Sequence, residues 1–147
     1  MNKKAKYNFD IKKTITSGIV LEGWEVKSIR SGLVQITQGH VIFQNHEAYL
    51  IGVIFQPLIT VSDLFTSPPD RKRKLLLNKK EINMLEIFCN KKRYTIIPIK
   101  LFWLRSWCKI ILGIAKGKSK RDKRLDKKNN SWKIEKSKII RRISLNK

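Results

Sequence analysis

The chain has 147 residues, 41% of them apolar, and carries 33 Lys or Arg against 11 acids for a formal net charge of +22. That length supports one core of roughly 100 to 115 residues plus a tail, not two cores, and no apolar run reaches the ~20 residues of a membrane-spanning helix. The basic start Met1-Asn2-Lys3-Lys4-Ala5-Lys6 runs into Asp10, Lys12 and Lys13 where a signal peptide would turn apolar, so a cytosolic protein is expected.

Residues 7 to 13 alternate apolar and polar side chains, the period of a half-buried strand, and Thr14 to Leu21 continue as a second extended run. Gly18 and Gly23 bracket Ile19-Val20-Leu21 and suggest a bulge or a sharp barrel bend. Trp24 to Arg30 reads as a helix of about two turns with Gly32 as its stop. His40 to Phe43 and Ala48 to Ile54 form a hairpin around Gln44-Asn45-His46-Glu47, and Pro57 ends it. Val61 to Asp70, with Pro68-Pro69, is expected to be a mobile surface loop. The basic block Arg71-Lys72-Arg73-Lys74 then abuts Leu75-Leu76-Leu77, and Asn78 is a good N-cap for a helix through Ile82, Leu85, Ile87 and Phe88. Arg93 to Leu104 and Trp107 to Ile114 make a final long hairpin around Arg105-Ser106.

About six strands adjacent in sequence, with two or three short helices, predict a mainly β fold: a small antiparallel oligonucleotide-binding-like barrel over residues 1–115. Such barrels remove sheet edges by closure and leave one face and its loops for nucleic acid. Residues 116–147 hold fourteen Lys or Arg against three acids, half the net charge of the chain. A segment so basic cannot close a core and is expected to be disordered until a polyanion neutralises it; its natural partner is a phosphate backbone.

Cys89 and Cys108 lie among apolar residues and read as reduced filler. His40 and His46 have no acid or thiol at metal-ligand spacing apart from Glu47, which adjoins His46 and points the other way on a strand. There is no phosphate-binding glycine loop, no nucleophile elbow and no carboxylate pair in an apolar setting. The expectation is a protein that is not an enzyme, with no metal, no cofactor and no small-molecule substrate.

Several blocks fall in the order and approximate spacing of one family: Asn2-Lys3-Lys4-Ala5; Gly18 to Gly32, with Gly23-Trp24-Glu25-Val26-Lys27-Ser28 at its centre; Arg71 to Leu77; Glu81-Ile82; and Gly113 to Lys118 with Asp122-Lys123-Arg124. On these residues the chain resembles the SsrA-binding proteins, the small protein B family of bacterial trans-translation. The resemblance implies an RNA-binding factor that grips the transfer-RNA-like domain of transfer-messenger RNA and delivers it to stalled ribosomes. It implies elongation factor Tu as a neighbour, a monomer, no membrane partner, and a tail that becomes helical in the empty messenger channel at the decoding centre.

Asn2, Lys3 and Lys4 match the family's amino-terminal RNA patch, though a frayed basic end would look the same. Lys27 and Arg30 sit together on the short helix within reach of phosphates, and Glu25 orients a base or pairs internally. Leu76 matches an apolar contact on RNA, yet the middle leucine of three in a strand reads equally as core. Arg73 and Lys74 are hard to bury and are expected at the surface. Trp24, with Trp103 and Trp107, is read as barrel core in preference to a base-stacking platform.

In the tail, Gly117, Lys118, Arg121, Asp122, Lys123 and Arg124 match the decoding-centre segment. Trp132, Ile139, Ile140 and Ile143 fall on one helical face, with Trp132 and Ile139-Ile140 as its anchor in the channel. Three positions depart from the family pattern: Thr16 in place of an acid, Ser119 in place of a second lysine, and Arg121 in place of a ring residue. The guanidinium of Arg121 can still stack on a base.

Overall fold

The computed structural model describes residues 2–58, 67–92 and 94–145. They form two compact units, residues 1–117 and residues 118–147. The first opens on a short helix, α1 (Lys3–Asn8), where alternation suggested strand from residue 7. The Asn2 side chain caps α1 by accepting the Ala5 N–H at 3.0 Å. The two runs expected over residues 7 to 21 are one strand, β1 (Phe9–Ile19), and its bulge lies between Ile11 and Lys13, away from the glycines.

The remaining elements of this unit are α2 (Gly23–Arg30), β2 (Val34–Gln35), β3 (His40–Gln44), β4 (Glu47–Ile51), β5 (Ile54–Phe55), β6 (Arg73–Leu76), α3 (Lys79–Lys92), β7 (Thr95–Leu104) and β8 (Trp107–Gly117). Helix α2 stops at Gly32, whose φ of 75° suits a residue without Cβ. The β3–β4 hairpin turns through Asn45 and His46, both at positive φ, as a two-residue hairpin turn requires. At the start of α3 the Asn78 N–H donates to the Glu81 carboxylate at 2.9 Å, which is the backward half of a capping box. The loop expected over Val61 to Asp70 lies outside the described residues as far as residue 66, and so does Arg93.

Six strands make one antiparallel sheet in the order β3-β4-β6-β1-β8-β7, while β2 and β5 pair separately. The sheet curls until its end strands β3 and β7 lie side by side. No hydrogen-bonded ladder joins them among the described residues, so the barrel keeps an open seam in place of the full closure expected. Its interior is filled by Leu50, Val53, Phe55, Leu75, Leu85, Ile96, Ile110, Leu112 and Ile114. A smaller cluster of Ala5, Ile97 and Ala115 puts α1 against β7 and β8, so these strands are apolar on both faces there. The second unit is a single helix, α4 (Lys120–Leu145).

Candidate nucleic-acid interface

In β6 successive side chains face opposite sides of the sheet. Leu75 therefore points into the core at 2% exposure and Leu76 outward at 58%. The same alternation sends Arg73 inward, and this overturns the expectation that Arg73 and Lys74 both lie at the surface. Arg73 is fully buried. Its Nε donates to Glu25 Oε1 at 2.7 Å, its Nη1 to the carbonyls of Val53 and Arg71, and its Nη2 to that of Pro69. The guanidinium also lies 3.9 Å from the Phe55 ring centroid. Burial pushes its pKa down while Glu25 pulls it back up. With every face occupied, Arg73 has no route to RNA.

Lys74 is partly exposed and pairs with Glu47, which in turn accepts from the Tyr49 hydroxyl. The bond to Glu47 raises the Lys74 ammonium above its ordinary value. An exposed pair of this kind is screened by solvent and weakly held, so a phosphate can compete for the lysine. Asn2 is the second correction. It is 5% exposed, with its Nδ2 near the carbonyls of Pro98 (3.1 Å) and Ile36 (3.4 Å) and its N–H on Ile99 O at 2.8 Å. Those bonds consume the groups that would read RNA. Lys4 is exposed; the Lys3 side chain lies outside the described residues.

Leu76 belongs to a groove of about 770 Å³ lined by Gly18, Val20, Leu21, Val26, Arg30, Trp103, Trp107 and Lys109. Helix α2 brings Arg30 to this groove, with its guanidinium 5.6 Å from the Trp103 ring centroid, and Lys27 is exposed on the same last turn. Trp107 stands 74% exposed, which corrects its assignment to the core, whereas Trp24 is half-buried and donates its indole N–H to Glu22 at 2.6 Å. Trp107 is the first residue after a two-residue turn, and that position was the signal available in the sequence. Cys108 at the edge of the groove is buried, which pushes its thiol up to about 11, and Cys89 is raised for the same reason; neither offers a thiolate. Apolar walls, an indole face and cations at one rim suit unstacked bases and a phosphate backbone.

In the second unit Ser119 and Asp122 close a capping box at the start of α4. The Asp122 N–H donates to Ser119 Oγ at 3.2 Å and the Ser119 N–H to Asp122 Oδ2 at 3.1 Å. Lys118 pairs with Asp126 at 2.7 Å, Gly117 is exposed at the end of β8, and Lys123 is half-buried beside exposed Arg124. The side chains of Arg121 and Ile143 lie outside the described residues, while Trp132, Ile139 and Ile140 are all more than half exposed. Among the described residues no helix is long and apolar enough to cross a membrane.

A model of the SmpB protein family matches residues 1–142. The chain belongs to the SmpB family. The SmpB match takes in all of residues 1–117 and most of α4. Among curated relatives, the SsrA-binding protein of Buchnera aphidicola subsp. Acyrthosiphon pisum (strain Tuc7) is 46% identical over 142 residues, covering 97% of this chain and 88% of the relative. The SsrA-binding protein of Buchnera aphidicola subsp. Schizaphis graminum (strain Sg) is 49% identical over 146 residues with the same coverage. A solved chain described as "tmRNA-SmpB: a journey to the center of the bacterial ribosome" superposes with a TM-score of 0.68 at 37% identity, covering 81% of this chain and 83% of that one.

Proposed function

We propose that this chain is an RNA-binding cofactor of trans-translation, without enzymatic activity, that binds transfer-messenger RNA and works with it on the ribosome in the cytoplasm. Residues 1–117 grip the transfer-RNA-like domain, with Leu76, Arg30 and Lys27 at the groove and Lys74 and Lys4 as outlying cations. The observation that carries this reading is the SmpB match along residues 1–142, together with a groove that places an exposed leucine and a guanidinium over an indole on one basic unit. The protein binds as a monomer, with elongation factor Tu as a neighbour in the delivery complex.

In this reading α4 is the form the tail takes in the empty messenger channel, and in free protein the tail is disordered. Its eleven Lys or Arg against three acids oppose folding until RNA neutralises them. Trp132, Ile139 and Ile140 anchor it there, and Gly117 to Arg124 lie at the decoding centre.

The test is binding of purified protein to the transfer-RNA-like domain of transfer-messenger RNA and to an ordinary transfer RNA across a salt series. Preference for the first is expected to persist at physiological salt, where non-specific attraction fades. A parallel collapse of both affinities would mean a general RNA chaperone or ribosomal protein. Deleting residues 117–147 is expected to leave this preference nearly intact and to abolish tagging of nascent chains.

A further inference from the structure

Helix α2 is held to the barrel in an unusual way. A surface helix commonly docks through an apolar stripe, and hydrophobic burial is non-directional, so such a helix can slide or roll at small cost. Trp24 and Ile29 of α2 pack against the core while only partly buried, and its two fully buried residues are polar: Glu25 and Ser28. Glu25 Oε2 accepts the Glu22 N–H at 2.7 Å and Arg71 Nη2 at 2.6 Å, and Oε1 accepts Arg73 Nε at 2.7 Å and Arg71 Nε at 3.0 Å. Those four bonds fill the capacity of a carboxylate. One turn on, Ser28 Oγ donates to the Gln56 carbonyl at 2.7 Å. Directional bonds to β6, to the segment before it and to the chain after β5 leave α2 one rotation and one depth.

We propose that Glu25 is a positioning residue for RNA recognition, fixing α2 so that Arg30 meets the groove over Trp103. The inference rests on the function proposed above and deepens it. Glu25 is fully buried, so it touches no ligand, and two guanidinium groups neutralise it. Whatever it contributes to RNA affinity passes through the placement of Arg30 and Lys27. Arg71 serves the same end, since it ties Glu25 to Glu22 at the first turn of the helix.

The experiment uses the full chain with Glu25→Gln, Arg30→Ala and Ser28→Ala, each measured against the transfer-RNA-like domain and an ordinary transfer RNA over a salt series. A glutamine keeps the volume but replaces one acceptor oxygen with a donor, and α2 loosens. Glu25→Gln is expected to weaken binding of the transfer-RNA-like domain roughly tenfold and to leave binding of ordinary transfer RNA at low salt unchanged. The slope of log affinity against log salt falls by no more than Arg30→Ala lowers it, because Glu25 itself meets no phosphate. Arg30→Ala is expected to reduce that slope by about one for both RNAs. The Trp103 indole resonance is expected to shift in Glu25→Gln, as Arg30 leaves the ring.

A folded Glu25→Gln protein with undiminished preference overturns the inference, and so does an equal affinity loss for both RNAs. Should Glu25→Gln fail to fold, Ser28→Ala decides: a several-fold loss of preference supports the positioning role, and full preference refutes it. Failure of the underlying function looks different, because then the wild-type chain itself shows no preference between the two RNAs.

Discussion

Gly18 in β1 and Leu76 in β6 are partners across an antiparallel ladder, and a methyl group added at Gly18 would lie 3.1 Å from Leu76 Cδ1 and 3.2 Å from Leu76 Cβ. The missing side chain on one strand is what lets the leucine on the next stand over the groove. In Gly18→Ala the Cδ1 methyl can swing aside, but Cβ moves only if the strands part by a few tenths of an ångström. We expect Gly18→Ala to weaken RNA binding several-fold, as Leu76→Ala does, at a stability cost of about 1 kcal/mol or less. Wild-type affinity in Gly18→Ala, measured beside its thermal midpoint, would show that the posture of Leu76 does not matter.

Lys27 and Arg30 act through charge, and charge has a signature. Replacing either by alanine is expected to lower the salt slope of RNA binding by about one. Arg30→Lys separates charge from shape: the slope is kept, while affinity falls because a lysine ammonium has no plane to lay on Trp103, now 5.6 Å beneath the guanidinium.

Arg73 meets no RNA itself, and what its removal costs first is stability. Truncating one partner of a buried, hydrogen-bonded ion pair costs roughly 3 to 5 kcal/mol. Arg73→Ala is expected in that range by chemical denaturation, and Arg73→Lys recovers little because an ammonium cannot serve Glu25, Val53, Arg71 and Pro69 together. A stable Arg73→Ala protein in which the salt slope of RNA binding falls by more than Arg30→Ala lowers it would restore this residue to the interface.

The Glu22 carboxyl is held below its ordinary value of 4.5, chiefly by the Trp24 indole N–H and then by the Ser67 hydroxyl and Arg71. Glu47 is lowered likewise by Lys74 and Tyr49. A carboxyl whose folded value is depressed contributes stability that is present above the unfolded value and lost as pH falls through the folded one. The thermal midpoint is therefore expected to drop below about pH 4.5, and Trp24→Phe, which removes the first of these donors, to make that drop shallower. An identical pH profile in the variant would exclude the indole as the cause.

Ser119 departs from the family pattern but caps α4. An N-cap serine replaced by alanine costs about 1 kcal/mol of helix stability. Ser119→Ala is expected to lower far-UV helical signal in RNA-bound full-length protein and Ser119→Asp to preserve it; equal signals would mean the cap is idle.

How much was readable in the sequence depended on whether a local pattern or a distant partner decided each position. The β7–β8 hairpin, α2 and α3 follow from periodicity and stop signals, and the SmpB resemblance followed from contiguous blocks. Helix α1 did not, because Tyr7 to Lys13 alternates like a strand while the cap that starts the helix is a buried Asn2. Residue type puts Arg73 at the surface, although neighbours in a strand point to opposite faces and one face of β6 is core. Its partner Glu25 lies 48 positions earlier, a separation no local pattern bridges. The groove is half legible: the sequence marks Arg30 and Leu76 but reads Trp107 as core.

The seam between β3 and β7 leaves two strand edges that would ordinarily invite a strand from another molecule. On β7 that invitation is withdrawn from within. Pro98 has no N–H to offer, the register shifts between Pro98 and Lys100, and Asn2 has already taken the carbonyls of Pro98 and Ile99. The residue that sequence placed on RNA thus guards a protein this basic and this rich in strands against growing into sheets with its own copies.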